Sequence, residues 1–233
     1  MSRAFFRQHF PRAWSALRAL HRGLLDSTPT RVFGRIYQSN AWGAEESRSG
    51  PGSTTDQTKQ LRQLLPQLLA ELGTTRMLDA PCGDFAWMRE VDLPVQRYIG
   101  ADLVPEIIQR NEALYGNAQR TFVALDLISD ALPAAELIFC RDCLVHFSDR
   151  RIHDAIANFR RSGATYLLTT TFPEHGPNSS IVTGQWQPLN LELAPFNFPK
   201  PLRLLVEGCT EGNGAFRDKA LGLWRLADLP SRV

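Results

Sequence analysis

The chain has 233 residues, of which 43% are hydrophobic and 21% are charged. This length accommodates one well-filled domain with a terminal extension, and the hydrophobic fraction excludes a disordered chain. The 26 basic and 24 acidic residues leave a net charge of +2, which lacks the basic excess that nucleic-acid binding usually requires. No apolar stretch approaches the roughly 20 residues of a membrane-spanning helix. We therefore expect a soluble protein with no nucleic-acid partner and no transmembrane segment.

The first 25 residues carry five arginines and no acidic residue, so the rest of the chain sums to a charge of −3. Aromatic residues and leucines recur there at helical spacing, although Pro11 interrupts the first turns. Three interpretations stay open: a helix packed on the domain, a helix that binds a membrane surface or a partner, and an organellar transit peptide. The absence of a continuous apolar region disfavours a secretory signal.

Residues 40–58 are rich in Gly, Ser and Thr and contain one large apolar residue, Trp42. The composition predicts a loop. It is either a plain linker or a lid in which Arg48, Ser49 and the neighbouring glycines present hydrogen-bond donors to an anion. We divide the chain into residues 1–58, a basic helical segment with a lid loop, and residues 59–233, the main domain.

Beyond the loop, leucines between positions 61 and 72 follow the spacing of an amphipathic helix that ends at Gly73. Short apolar runs then alternate with helical patterns, which predicts a parallel sheet with both faces covered. Two further runs are joined without a helix and should pair antiparallel. The predicted strands are 76–80, 97–101, 121–125, 136–140, 166–171, 202–207 and 221–226, and the further helices are 105–115 and 149–162.

An aspartate follows or closes each of the first four predicted strands: Asp79, Asp102, Asp126 and Asp142. In open α/β sheets, ligands bind outside the carboxyl ends of the strands. One such acid alone could cap a helix, but four in succession predict a binding site.

The strand that ends at Asp79 continues into Ala80, Pro81, Cys82 and Gly83, an acid followed by a tight turn. This segment resembles the first motif of the class I S-adenosylmethionine-dependent methyltransferases, although Pro81 and Phe85 stand where that family usually has glycine. Residues 98–103, 125–127 and 137–147 resemble the later motifs of the same family, and the resemblance spans about 61–226. A dinucleotide oxidoreductase fits less well, because G-x-G-x-x-G is absent and the acid precedes the turn.

The resemblance implies S-adenosyl-L-methionine as the cofactor and S-adenosyl-L-homocysteine as the product. It also implies a single Rossmann-like α/β domain, a mostly parallel seven-stranded sheet with an antiparallel last strand at its edge, and an N-terminal helical lid. In the family, the second-strand acid binds both ribose hydroxyls and the third-strand acid binds the adenine amino group. The implied cofactor-binding residues are Asp79, Ala80, Pro81, Gly83, Asp102, Leu103, Asp126, Leu127, Arg141 and Trp42.

Residues 173–201 form a long insertion with six prolines and many amide, hydroxyl and aromatic side chains. It is either a substrate-facing loop or a proline-stiffened cover over the sheet edge. For the acceptor we predict contacts from Arg48, Ser49, Glu174 and Trp186. The candidate catalytic residues are Asp142, His146, which comes four residues later, and His175. The two histidines are the candidate bases because histidine has the pKa of a general base.

We therefore expect methyl transfer to a small-molecule or carbohydrate-like acceptor, most readily at oxygen. The alternative is a noncatalytic S-adenosylmethionine- or nucleotide-binding module that docks through its basic N-terminal helix. A nucleic-acid methyltransferase is disfavoured because the N/D-P-P-[YFW] tetrad is missing. Four cysteines without paired spacing indicate thiols in a reducing, cytoplasmic setting, and the C-x-x-C of Cys140 and Cys143 has no second pair, so no metal site is expected.

Overall fold

The computed structural model describes residues 29–230, so the predictions for the first 25 residues lie outside the described part of the chain. Each strand and helix predicted between residues 59 and 230 is present, with bounds that differ by at most two residues. Helix α1, which precedes the lid loop, was not predicted from the sequence. The helices are α1 (Pro29–Ser39), α2 (Lys59–Leu72), α3 (Pro105–Tyr115) and α4 (Asp149–Arg161). The strands are β1 (Arg76–Asp79), β2 (Arg97–Asp102), β3 (Arg120–Ala124), β4 (Leu137–Cys140), β5 (Tyr166–Thr171), β6 (Arg203–Val206) and β7 (Ala220–Arg225).

The strands form one sheet in the order β3-β2-β1-β4-β5-β7-β6. The first five strands pair in parallel, whereas β7 runs antiparallel to both β5 and β6. The predicted mostly parallel sheet with an antiparallel last strand is thereby confirmed. Its predicted place at the edge is wrong, because β7 lies between β5 and β6. Five of the six β7 residues are buried, while β6 is largely exposed, so the more apolar strand takes the interior position.

Helices cover both faces of the sheet. On one face, the buried leucines of α2 pack with Met77 and Tyr98, and α2 ends at Gly73 in the left-handed conformation. On the other face, α4 contributes Ile152 and Phe159 to a cluster with β4 and β5. The two clusters fix the strand ends, and hence the loops that follow them, in a rigid frame.

The insertion of residues 173–201 is anchored to the core by a few buried residues. Leu189, Leu191 and Phe196 are buried in the larger core cluster. The side-chain amide of Asn178 donates to the carbonyls of Asn190 and Ala194 at 2.9 Å, so this polar side chain holds the loop together. No helix within residues 29–230 has the length and apolarity to cross a membrane.

Candidate active site

A cleft opens at the carboxyl ends of β1, β2 and β4 and holds about 1110 Å³ of empty space, including its open mouth. Asp79, Asp102, Asp126 and Asp142 all line it. The structure therefore brings together the four acids that the sequence placed at successive strand ends.

The turn after β1 is held from two sides. The amide of Gly83 donates to Oδ2 of Asp102 at 3.2 Å, and the side chain of Asn111 donates to the Gly83 carbonyl at 2.7 Å. Gly83 has a φ of 54°, and a Cβ there would lie 2.3 Å from Oγ of Ser49. Glycine is required at this position both by the left-handed backbone and by the lid loop packed against it.

Phe85 occupies a position where class I methyltransferases usually have glycine, yet its side chain does not line the cleft. The residue has a φ of 61°, and its buried ring packs at 5.1 to 5.3 Å from the rings of Tyr98, Tyr115 and Phe122. Pro81, by contrast, lines the cleft. The left-handed backbone turns the bulk of Phe85 into the core and leaves the mouth of β1 open.

Asp79 is a buried acid with one satisfied oxygen. The Tyr98 hydroxyl donates to Oδ2 at 2.5 Å, while Oδ1 is buried without a hydrogen-bond partner among the described residues. Burial raises the pKa of Asp79 to about 8, although the hydrogen bond from Tyr98 acts in the opposite direction. Without a cationic partner, the Asp79 carboxyl is mostly protonated at pH 7.

Asp102 lies at the end of β2 and faces the same cleft. Its Oδ1 accepts from the Val104 amide at 2.9 Å, while Oδ2 accepts the Gly83 bond already described. Burial raises the pKa of Asp102 to about 6, against the lowering effect of these backbone bonds. The Leu103 amide also contributes a backbone bond, and the carboxylate keeps acceptor capacity for a ligand.

The loop of residues 40–58 is fastened to the β1 turn by Asp84. Its carboxylate accepts from the Ser47 hydroxyl at 2.9 Å and from the Arg48 amide at 2.8 Å. Trp42, Arg48 and Ser49 line the cleft, and α1 adds Phe33 and Tyr37 to its wall. The loop therefore forms part of the cleft wall, and we refer to it below as the lid loop.

Arg141 occupies a buried position behind the cleft, and its guanidinium is fully used by the protein. It contacts Glu207 at 2.6 Å, donates to the Gly52 carbonyl at 2.8 Å, and lies 3.2 Å from Asp142. Its guanidinium carbon also lies 5.5 Å from the centre of the Trp87 ring. Arg141 lines the cleft, but its donors tie the lid to the sheet.

Asp142 stands where the cleft meets a second cavity. Its backbone has a φ of 50°, and its amide donates to the Thr170 hydroxyl at 2.8 Å. Lys219 Nζ lies 2.6 Å from Oδ2. Burial alone would raise the pKa of Asp142, but Arg141 and Lys219 lower it to about 2. Asp142 is therefore a carboxylate throughout the physiological pH range.

His146 also lines both spaces and has a fixed orientation. Its ring stacks on Trp42 at a centroid distance of 5.1 Å, and Nδ1 lies 3.0 Å from the carbonyl oxygen of Gln185. Because a carbonyl only accepts, Nδ1 carries the proton and Nε2 carries the lone pair in the neutral ring. Burial lowers the pKa of His146 below its ordinary value, so the neutral form predominates at pH 7.

The second cavity adjoins the cleft and shares four lining residues with it: Trp42, Ser49, Asp142 and His146. Its other walls are aromatic and charged. Phe172, Trp186, Phe216, Cys209, Glu211 and Lys219 complete the lining together with residues 50–52. Trp186 is thus the insertion residue that reaches this cavity.

His175 and Glu174 line neither of these two spaces. His175 Nδ1 lies 3.0 Å from Oδ2 of Asp218, and the exposed carboxylate of Glu174 lies 3.7 Å from Arg217. The structure therefore does not bring these two predicted residues to the site. Sequence reasoning missed Glu211 and Lys219, which lie between β6 and β7 in a segment without periodicity.

No family model and no curated protein sequence matches the chain. Among solved structures, the N-methyltransferase NodS from Bradyrhizobium japonicum WM9 is similar, with a TM-score of 0.52 and 15% identity over 75% of this chain and 98% of that chain. Human N-acetylserotonin methyltransferase in complex with S-adenosylmethionine is similar with a TM-score of 0.48 and 17% identity, over 78% of this chain and 59% of that chain. The chain has the class I methyltransferase fold that its motifs predicted.

The contact between Gly83 and the lid gives a first prediction. Gly83→Ala should displace Ser49 and loosen the lid, so trypsin should cleave after Arg48 several-fold faster, as followed by mass spectrometry. Gly73→Ala is the matched control, because Gly73 has a similar φ of 61° but a Cβ added there would meet no atom within 4 Å. Both variants should lose about 1 kcal/mol of stability from backbone strain. Equal cleavage rates in the two variants would show that the lid does not rest on Gly83.

The pKa of Asp79 gives a second prediction, on stability between pH 6.5 and 8. The folded protein holds a proton on Asp79 there, whereas the unfolded chain has lost it, so stability falls as pH rises. The free energy of unfolding of the ligand-free protein should drop by about 1 to 2 kcal/mol across this window, measured by urea denaturation. Asp79→Asn should flatten the slope and the exposed Asp92→Asn should keep it; an unchanged slope in Asp79→Asn would contradict the assignment.

Proposed function

We propose that the chain is an S-adenosylmethionine-dependent methyltransferase that methylates a small-molecule or carbohydrate-like acceptor at oxygen. The observation that carries this proposal is the junction of two cavities at His146 and Asp142, below the lid and at the carboxyl edge of a class I methyltransferase sheet. The cleft with the strand-end acids suits the cofactor. The second cavity then suits the acceptor.

The residues of the cleft fit the cofactor in charge and in hydrogen-bonding capacity. Asp102 faces the cleft with two carboxylate oxygens, and two acceptor oxygens suit the vicinal hydroxyls of a ribose. The unpartnered Oδ1 of Asp79 suits the ammonium of the methionine part, which would also favour the ionised carboxylate. Asp126 and the apolar Leu103 and Leu127 line the part that an adenine would occupy. When bound, S-adenosylmethionine supplies a methyl group on a positively charged sulfonium.

His146 is the candidate general base. Its Nε2 lone pair can accept the proton of an acceptor hydroxyl, because Nδ1 is committed to the Gln185 carbonyl. The resulting imidazolium would be stabilised by the nearby carboxylate of Asp142, which favours the charged ring. The stacked Trp42 holds the ring in place, and alignment of the reactants supplies much of the remaining rate.

The same cleft could serve a noncatalytic binding module that docks through residues 1–25, which lie outside the described residues. Incubation with methyl-labelled cofactor and a metabolite extract separates the two hypotheses, because only an enzyme transfers label. A cytoplasmic setting is part of the proposal and is supported by four buried cysteines that form no disulfide.

Asp102→Asn tests the cofactor assignment. Loss of charge-assisted bonds to a ribose should weaken binding of S-adenosylhomocysteine about a hundredfold, as measured by calorimetry. Asp92→Asn makes the same change at an exposed residue outside the cleft and should leave the affinity unaltered. Equal affinity in the two variants would refute the placement of the ribose.

His146→Ala tests the base. The rate of label transfer should fall by roughly 10² to 10⁴, while the affinity for S-adenosylhomocysteine stays within a few-fold. His175→Ala should instead lower the unfolding temperature, because it removes the partner of the buried Asp218, and should retain most of the rate. A full rate in His146→Ala would assign the transfer to positioning alone.

A further inference from the structure

We propose that the second cavity recognises a cationic amino group on the acceptor, and that Glu211 is the residue that selects it. The inference rests on the proposed function, since it narrows the acceptor to an amine-bearing small molecule. The amino group is the recognised feature and is separate from the hydroxyl that takes the methyl group.

The charges around the cavity do not cancel. Arg141 and Lys219 supply two positive charges, and both are matched by Asp142 and Glu207 at 2.6 to 3.7 Å. Among the residues that line the cavity, Asp142 is paired with Lys219, and Glu211 adds a second carboxylate for which the described residues 29–230 show no ion pair. Because burial keeps His146 neutral at pH 7, the lining carries one negative charge in excess. A cationic ligand compensates this charge, and an anionic one would be repelled.

Gly52 lets the lid backbone approach these carboxylates closely. A Cβ at Gly52 would lie 3.1 Å from Oδ2 of Asp142, 3.3 Å from Nζ of Lys219 and 3.5 Å from Oε2 of Glu211. The lid backbone therefore passes close to three charged side chains, and a side chain at position 52 would have to displace them. Asp142 and Glu211 thus lie close to each other on the wall of the second cavity.

Part of the cavity wall is aromatic. Trp186 and Phe216 meet edge to face at a centroid distance of 4.8 Å, and Phe172 lies 5.9 Å from Trp186 and 6.0 Å from Phe216. Trp186 is 42% exposed although it borders the cavity. The faces of aromatic rings attract a desolvated cation, so a cavity lined by both aromatic rings and a carboxylate is suited to bind an ammonium group.

Two probes of the same shape test the charge preference: choline and its neutral carbon isostere, 3,3-dimethylbutan-1-ol. Each is titrated into the protein with and without saturating S-adenosylhomocysteine and followed by ligand-observed nuclear magnetic resonance. We expect choline to bind roughly tenfold more tightly, in line with one cation–π contact and one charge pair. Glu211→Gln should abolish the preference, whereas Glu45→Gln, at an exposed acid outside both cavities, should keep it.

Gly52→Ala tests the same site by crowding it, because the added methyl carbon would lie 3.5 Å from Oε2 of Glu211. It should weaken choline binding at least fivefold, and Gly34→Ala, where a Cβ meets nothing within 4 Å, should not. Equal affinity for the two probes, or a preference that survives Glu211→Gln, would overturn the inference.

A different result would refute the proposed function, namely the absence of S-adenosylhomocysteine binding or of label transfer. The choline preference is also measured without S-adenosylhomocysteine, so it can hold or fail independently. Label found on nitrogen rather than oxygen would overturn the O-methylation assignment and leave the cation site intact.

Discussion

The buried guanidinium of Arg141 is the interaction on which the site depends. It joins β4 to Glu207 at the end of β6 and to the lid through the Gly52 carbonyl. A buried cation is tolerated only when its donors are satisfied, so removal of Glu207 would leave a charge uncompensated in the interior. Planar, forked geometry lets one side chain hold three elements at once, which lysine could not do. The position of the lid is therefore coupled to the packing of the far half of the sheet.

Preparing the cleft for a ligand lowers the stability of the ligand-free protein. Asp79 and Asp102 are held at strand ends where burial raises the pKa of each, so their ionised forms weaken the free protein. Asp142 differs because Arg141 and Lys219 supply the countercharges within the protein. The first two acids thus lack the partner that the third already has, and a cationic, hydroxyl-bearing ligand would supply it. This asymmetry separates the ligand-facing carboxylates from the internally paired one.

The features of the structure that depend on a local sequence pattern could be predicted from the sequence. Apolar runs located every strand, and the geometry of a parallel sheet then placed Asp79, Asp102, Asp126 and Asp142 at one edge. Helix α1 was not predicted, although Val32, Phe33, Ile36 and Tyr37 recur at helical spacing. The helix has only 11 residues, and Gly34 interrupts the pattern. Glu211 and Lys219 were not predicted as site residues because the segment between β6 and β7 has no periodicity. This segment reaches the cavity because β7 lies inside the sheet, which the sequence did not predict. The insertion is rich in polar side chains, but some of them, such as the Asn178 amide, donate hydrogen bonds to backbone carbonyls of the insertion itself.

The lid and the candidate base form one unit. Asp84 holds the lid at Ser47 and Arg48, and Arg141 holds it at Gly52, so the loop is fastened on both sides of its contact with the β1 turn. Trp42 belongs to the same loop and stacks on His146, whose other constraint comes from Gln185 in the insertion. Because the imidazole ring is oriented by two segments outside the sheet, a lid that opens also releases one face of the base. Under the proposed function, closure of the lid over the cofactor and orientation of Nε2 toward the acceptor would therefore occur together, which would confine proton removal to the closed state.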